Sequence, residues 1–220
     1  MNRQSFYKGL RLSGALRSAE DVDAPSLYNQ LTNSSFQLAV GEFGGMLAIS
    51  LLGLDKLPPF VGFTSWKESV KYDWKEGATI DWTKVGFKDN TIYFWYSIPN
   101  YKSYLETIER QHRGMLAVLG DLISSPLPVM DSSLRYSYSN YFIASRDVFL
   151  RYMESAKNVL DAFIAKYPIG SKCPYDIPPS IENGEMRCVG YLLERYINVW
   201  AVQNNVSLVF AVDEPSWRLK

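Results

Sequence analysis

The sequence predicts a single α/β domain, in which helices flank a mostly parallel sheet. The chain has 220 residues, a usual size for one large domain. Its 47% hydrophobic and 21% charged residues are typical of a globular protein. Segments with helical apolar spacing alternate with short runs of β-branched and aromatic residues, which is the order expected of helices layered on a sheet.

The N-terminal part combines a polar segment with a glycine-containing helix. Residues 1–33 are irregular, and we predict no regular element there. A helix is predicted over residues 36–52, capped by Ser34 or Ser35, because apolar residues recur at helical spacing. Three glycines inside it each cost about 1 kcal/mol of helix propensity relative to alanine. They leave two alternatives: a close approach by another backbone or a ligand, or a broken helix.

Two short strands are predicted next. The first covers residues 60–64, directly after a pair of prolines that ends the helical pattern. An irregular excursion over residues 66–90 leads to the second, over residues 91–98, which is rich in β-branched and aromatic residues.

The second half repeats the alternation of helix and strand. Two of its helices have a clear apolar stripe, and prolines mark where helices end. The predicted elements are a helix over 101–124, a strand over 136–143, a helix that Ser145 caps and that ends before Pro168, a proline-containing surface loop over 168–183, a helix over about 185–203 and a strand over 206–212.

The ends of three predicted strands are the expected location of a binding site. In α/β sheets, ligands bind beyond the carboxyl ends of the strands. This rule predicts that a binding site draws on residues 64–67, 97–100 and 212–214.

Charge and hydropathy exclude several classes of protein. The 23 basic and 23 acidic residues cancel, so no general attraction to nucleic acid or an anionic membrane is expected. No apolar stretch is long enough for a transmembrane span. Residues 1–20 lack the apolar core of a signal peptide, and we therefore expect a cytoplasmic protein.

Cysteine, histidine and aromatic counts narrow the chemistry further. Two cysteines and one histidine exclude a zinc finger or a multi-thiolate cluster. Cys173 and Cys188 can form a disulfide across the proline-containing loop if the compartment is oxidising. Aromatic residues make up 15% of the chain, which fits either a large core or flat faces for stacking on sugars or bases.

Four stretches of the sequence form a recognisable set: Glu42-Phe43-Gly44-Gly45-Met46, Val61-Gly62-Phe63-Thr64-Ser65-Trp66-Lys67, Asn140-Tyr141-Phe142-Ile143 and Gly190-Tyr191-Leu192-Leu193-Glu194-Arg195. In their order and rough spacing they resemble a family of glycosyltransferases from bacterial capsule and lipopolysaccharide gene clusters. That family has, in the same order, a Glu-Leu-Thr at a helix start, a strand ending in Gly-Leu-Cys-His-Tyr-Arg-Arg, an Asn-Met-Phe-Ile and a Gly-Phe-Leu-Glu-Arg helix. The resemblance covers about residues 29–210.

Two departures from the family leave alternatives open. Ser65-Trp66-Lys67-Glu68 replaces the family's His-Tyr-Arg-Arg, which removes an imidazole and a guanidinium. The family also begins with a strand and loop of a nucleotide-binding half, and the first residues here show no such strand. The sequence accordingly suggests either a shortened chain or a degenerate donor site.

The resemblance implies transfer of a sugar from a nucleotide sugar to a glycan or glycoconjugate acceptor, in surface polysaccharide or glycoconjugate synthesis. It implies a nucleotide-sugar transferase (GT-A-like) architecture and an enzyme of hexosyltransferase type. A divalent metal, manganese or magnesium, is a candidate cofactor. A non-catalytic carbohydrate-binding or assembly module is the alternative, and an aromatic-rich structural protein is the third hypothesis.

Such a transferase needs groups that neutralise the donor diphosphate, and several residues are candidates. Lys67 can meet a phosphate and Ser65 lies beside it at a strand end, although Lys67 also fits an ordinary exposed lysine. Arg195 is a second candidate for the phosphate charge. Asp21 and Asp23 match the Asp-x-Asp metal signature of many transferases, but their polar surroundings equally fit a solvated loop.

The transferase also needs a base for the acceptor hydroxyl and partners for sugar hydroxyls. Glu194 and Glu42 are the candidate carboxylates, each also compatible with a structural or solvated role. We expect Glu194 to find a partner other than Arg195, since consecutive residues diverge on a helix. His112 lies on an apolar helix stripe, where a satisfied core residue is the competing interpretation. Asn140 can bind a sugar or fix a loop.

Overall fold

A four-stranded mixed sheet is the central element of the computed structural model, which describes residues 10–11, 22–63, 85–94, 104–129, 135–137, 141–179 and 184–211. The strands, in chain order, are β1 (Leu10–Arg11), β2 (Val22–Asp23), β3 (Phe60–Gly62), β4 (Thr91–Phe94), β5 (Phe142–Ser145) and β6 (Ser207–Phe210). The order in the sheet is β3-β5-β4-β6, and β1 and β2 form a separate parallel pair. The α/β class predicted from the sequence is thus confirmed.

Seven helices surround the sheet in the described part of the chain. They are α1 (Ala24–Leu27), α2 (Ser34–Val40), α3 (Glu42–Ser50), α4 (Tyr104–Gln111), α5 (Met115–Ile123), α6 (Arg146–Lys166) and α7 (Cys188–Gln203). Three short 3-10 helices lie at Asn29–Thr32, Leu54–Lys56 and Glu185–Arg187. They precede α2, β3 and α7, respectively. None of the described helices combines the length and the apolar character needed to cross a bilayer.

The prediction of a mostly parallel sheet was wrong. β4 and β6 are parallel, but β5 is antiparallel to both of its neighbours, β3 and β4. The reason lies in the connections, because a single helix returns the chain to the start of a parallel strand, whereas two successive helices do not. Both α4–α5 and α6–α7 are such pairs, so the strand direction reverses at β5 and again at β6.

Strand direction defines what we call the carboxyl edge, at which β3, β4 and β6 end and β5 begins. Gly62 pairs with Ile143, and Phe94 pairs with both Phe142 and Phe210. Three strands therefore end at the same edge, with the start of β5 between the ends of β3 and β4. The residues predicted to bind ligand, 64–67, 97–100 and 212–214, follow these strands and lie outside the described residues.

The helix predicted over residues 36–52 is broken at Gly41, where φ is 55°. A β-carbon disfavours this conformation, so glycine permits the sharp boundary between α2 and α3. The cap is Asn33 rather than Ser34 or Ser35, because its Oδ1 accepts hydrogen bonds from Ser35 N at 2.9 Å and Phe36 N at 3.1 Å. Of the two alternatives that the glycines left open, the broken helix is thus observed.

The helix predicted over residues 101–124 is likewise two helices, α4 and α5. Gly114 has φ of 89°, and its N–H donates to Glu109 Oε1 at 2.7 Å. This side-chain bond replaces the helical partner of the amide, so the chain changes direction with little loss of hydrogen bonding. Sequence periodicity missed the break because Ile108 before it and Met115 after it are both buried, as predicted.

The helix predicted after Ser145 is confirmed as α6. Ser145 Oγ accepts a hydrogen bond from Val148 N, and the helix ends at Lys166, just before Pro168. Ser145 is also the last residue of β5, so the strand lies two to six residues later than the interval 136–143 predicted for it. The prediction that residues 1–33 contain no regular element was wrong, since α1 and two short strands lie there.

Aromatic residues fill much of the core between the sheet and α6. The ring centroids of Phe142 and Tyr152 are 6.1 Å apart, and those of Phe63 and Phe149 are 5.3 Å apart. Phe94 stacks on Phe210 across the parallel strands at 5.6 Å. These described aromatics therefore support the first explanation of the aromatic content, a large core.

Candidate functional site

Five residues from three parts of the chain form what we call the α7 cluster: His112, Tyr175, Tyr191, Glu194 and Arg195. His112 directly follows α4, Tyr175 comes from the proline-containing loop, and the other three lie on α7. Three of the predicted site residues, distant from one another in sequence, are thus brought together.

The charged part of the α7 cluster is an ion pair between neighbouring residues. Arg195 Nη1 donates to Glu194 Oε2 at 2.8 Å. The expectation that these two residues diverge was wrong, because both side chains are long enough to bridge the angle between adjacent helical positions. Partial burial favours the pairing, since an unpaired buried charge costs several kcal/mol. The Glu194 side chain remains 23% exposed.

A buried polar network fixes the backbone beneath this ion pair. Tyr104 Oη donates to the Arg195 carbonyl at 3.0 Å and accepts a hydrogen bond from Asn198 Nδ2 at 2.8 Å. Asn198 also exchanges hydrogen bonds with the Ser137 backbone, and the ring of Tyr104 stacks on Tyr136 at 4.3 Å. The network ties α7 to the segments that follow β4 and precede β5 at the carboxyl edge.

His112 is buried in the α7 cluster as a neutral imidazole. Its ring stacks on Tyr191 at 5.7 Å and meets the edge of Tyr175 at 5.9 Å. Burial lowers the pKa of His112, and the positive charge of Arg195 lowers it further. Because a carbonyl can only accept, His112 Nδ1 donates to Asp176 O at 3.2 Å, which leaves Nε2 as a proton acceptor. His112 is therefore a residue of the core.

A disulfide holds the loop that carries Tyr175 against α7. Cys173 and Cys188 are bonded, so the pairing that the sequence left conditional is present. The Tyr175 hydroxyl donates to the Cys188 carbonyl, and burial raises the pKa of this tyrosine well above its usual value. Tyr175 therefore packs in the cluster as an uncharged side chain and does not act as a base.

Arg187 extends the cluster toward α3, and the sequence analysis missed it. Its guanidinium lies 5.4 Å from the ring centroid of Tyr191. One nitrogen is 3.7 Å from where a β-carbon on Gly41 would be, which places Arg187 next to the start of α3. In the described part of the chain Arg187 makes no ion pair. The available signal was a basic residue at a helix start, one position before Cys188.

Glu42 lies at the edge of this arrangement rather than within it. It is the first residue of α3 and its side chain is exposed. Its neighbour Gly41 faces Arg187, so Glu42 borders the α7 cluster through that arginine.

The remaining predicted site residues cannot be added to the cluster. Asp21, Ser65, Lys67 and Asn140 lie outside the described residues. Asp23 is described, half-buried at the end of β2. No three histidine, cysteine, aspartate or glutamate side chains in the described ranges lie close enough to hold a metal ion.

The fold is similar to that of a known glycosyltransferase. The apo structure of WbbM, a bifunctional glycosyltransferase, matches with a TM-score of 0.50 and 13% sequence identity. The match covers 79% of this chain and 35% of that protein, so this chain spans about a third of its length. No model of a protein family and no curated protein matches the sequence. The chain therefore shares its α/β fold with part of that protein.

Proposed function

We propose that the chain transfers a sugar, of hexosyltransferase type, from a nucleotide sugar to a glycan or glycoconjugate acceptor in surface polysaccharide synthesis. The observation that carries this proposal is the meeting of His112, Glu194 and Arg195 in one cluster within a glycosyltransferase-like fold. The family resemblance in the sequence, which includes Glu194 and Arg195, supports the same activity.

Glu194 is the group that contacts substrate in this proposal. Its partly exposed carboxylate accepts either the proton of the acceptor hydroxyl or hydrogen bonds from sugar hydroxyls. Arg195 orients the carboxylate through their hydrogen bond at 2.8 Å. The neutral imidazole of His112 is the second candidate base, with Nε2 free to accept a proton after small movements of the surrounding rings.

The donor diphosphate requires positive charge near the carboxyl edge. Arg187 supplies a guanidinium without an ion pair in the described part of the chain, and the rigid fork of its donors matches phosphate oxygens. Lys67, Ser65 and Asn140 adjoin the strands of that edge in sequence and complete the proposed donor site. Asp21 and Asp23 remain the proposed metal ligands if the activity proves to depend on manganese or magnesium.

A non-catalytic carbohydrate-binding module is the second candidate function. It is favoured by the burial of His112 and Arg195, which are only 2% and 7% exposed. Under this hypothesis the cluster is structural, and binding of a glycan needs no nucleotide.

The experiment is thermal unfolding of the protein with a panel of nucleotide sugars and free oligosaccharides, each with and without manganese. Stabilisation by a nucleotide sugar, together with release of nucleoside diphosphate when acceptor is added, supports the transferase. Stabilisation by an oligosaccharide alone supports the binding module. If no compound raises the melting temperature, both functions are excluded and the structural hypothesis remains.

The cytoplasmic location predicted from the sequence belongs to this proposal as well. Disulfides such as Cys173–Cys188 are more common in oxidising compartments, so this bond favours a location outside the cytoplasm. Cell fractionation combined with thiol labelling of the two cysteines distinguishes the two locations.

A further inference from the structure

A polar groove of about 290 Å³ lies between α5, α6 and α7, away from the α7 cluster. We call it the α6–α7 groove. Six of the residues that line it are Arg151, Glu154, Ser155 and Asn158 on α6 and Tyr196 and Trp200 on α7. Its volume is at the lower end of the range for small-molecule sites, roughly 300 Å³, which fits one ring rather than a nucleotide.

Helical spacing explains why so many polar groups converge there. On α6 the lining positions begin at Arg151 and recur at three- and four-residue steps, and on α7 they begin at Tyr196 with the same spacing. Two helix faces therefore meet along the groove. The buried floor consists of Tyr196 and Trp200, and Ser155 Oγ lies 2.7 Å from Tyr196 Oη.

The groove lies at the edge of the sheet opposite to the carboxyl edge. Arg151 Nη2 donates to Asn90 Oδ1 at 3.0 Å, and Asn90 immediately precedes β4. Asn90 Nδ2 in turn donates to Asn205 O at 2.9 Å, in the turn between α7 and β6. The groove thus adjoins the starts of β4 and β6, whereas the proposed donor site adjoins their ends.

Two side chains in the groove are available to a ligand. Glu154 and Asn158 are exposed, and neither forms a hydrogen bond or an ion pair through its side chain in the part of the chain that the structure describes. They lie one helical turn apart on the same face of α6, so a carboxylate and an amide point into one space. This pair suits the vicinal hydroxyls of a sugar, which both donate and accept hydrogen bonds.

Charge favours a neutral ligand over a phosphate. Arg151 and Glu154 are the only two residues of the lining that carry a formal charge, and these charges are opposite. The guanidinium of Arg151 is moreover engaged by Asp147 Oδ2 at 3.0 Å and lies 5.9 Å from the ring centroid of Trp200. Little positive charge therefore remains for an anion.

We propose that the α6–α7 groove binds one sugar ring of a neutral glycan, separately from the site of transfer. The carboxylate of Glu154 and the amide of Asn158 hold adjacent hydroxyls, and the ring lies over the floor formed by Tyr196 and Trp200. The inference goes beyond the proposed function, because it requires no nucleotide and no transfer.

The test is a titration of the isotope-labelled full chain with the methyl glycosides of glucose, galactose, mannose and N-acetylglucosamine, followed by NMR without any nucleotide. We expect at least one glycoside to shift the indole N–H signal of Trp200 and the side-chain amide of Asn158. Glu154→Gln should weaken that binding about tenfold because a neutral amide replaces the charged acceptor, and Asn158→Ala should do the same because it removes a hydrogen bond to the sugar. Gln111→Ala on α4, an exposed residue outside the groove, is the matched control and should leave the affinity unchanged.

Several results would overturn the proposal. One is the absence of a shift with all four glycosides, and another is an unchanged affinity in both groove variants. A shift caused by inorganic phosphate alone would show an anion site instead. If Glu194→Gln abolishes binding while Glu154→Gln does not, the sugar occupies the α7 cluster. Loss of transfer in the earlier assay with retained binding here would reject only the proposed function.

Discussion

The backbone of Gly190 in α7 lies against the carbonyl oxygen of Ala39 in α2. A β-carbon at residue 190 would approach that oxygen to 2.9 Å, closer than side chains ordinarily come to backbone. The contact sets the spacing between α7, which carries Glu194, and the α2–α3 pair that carries Glu42. Glycine is needed here for closeness and not for an unusual backbone conformation.

Replacement of Gly190 by alanine should destabilise the fold by about 1–3 kcal/mol, because two helices must separate to admit the methyl group. Chemical denaturation measures the change in the free energy of unfolding. Gly120→Ala is the matched control, since Gly120 is also helical but its nearest neighbour would be Leu127 at 4.0 Å. That variant should be neutral or more stable by up to about 1 kcal/mol. Equal losses in both would contradict the close approach.

Glu194→Gln should lower the turnover number of sugar transfer by about 10²-fold or more, because the amide cannot accept the acceptor proton. Donor affinity should change little. The measurement is steady-state release of nucleoside diphosphate from the donor that stabilises the protein. Glu106→Gln, an exposed glutamate on α4, serves as the control and should retain full turnover. A Glu194→Gln enzyme with unaltered turnover removes the carboxylate from the mechanism.

The buried position of His112 should make the fold less stable in mild acid. Its folded pKa lies below the usual value of about 6.5, owing first to burial and then to Arg195. The unfolded chain therefore binds more protons between those two values, and stability should decrease as pH falls below about 6.5. His112→Gln should decrease less over the same interval in thermal unfolding.

The direction of this shift can also be measured directly. His112 is the single histidine of the chain, so its ring signals in NMR are unambiguous when the protein carries no affinity tag. A titration midpoint above 6.5 would mean that the imidazole is stabilised in its charged form, and the assignment of a neutral base would fail.

Removal of the Cys173–Cys188 disulfide should lower stability by about 3 kcal/mol, the value expected for a closed loop of about 15 residues. Cys173→Ser combined with Cys188→Ala tests this, with alanine used where the residue is buried. The melting temperature should drop by several degrees, and dithiothreitol should reproduce the drop in the wild type only. Identical melting of the oxidised and reduced wild type would contradict the stabilising role.

Elements with a strong local signal could be predicted from the amino-acid sequence. Ser145 and Pro168 bracket α6 correctly, since capping and helix termination depend on residues within one turn. The apolar spacing of α7 likewise predicted that helix. These predictions hold because neighbouring residues alone supply the physical cause.

Tertiary structure alone decided strand direction and the partners of the polar side chains. Gly41 and Gly114 fit a helical pattern on both sides, and only the packed chain shows that it turns at each of them. With α4 and α5 as two helices, β5 runs antiparallel, which no periodicity reveals. Arg187 lies beside the α7 cluster, and Arg195 pairs with Glu194. Both arrangements depend on segments that are distant in sequence and that pack around these side chains. Local propensity fixes where helices form, whereas burial and chain connection fix which side chains meet.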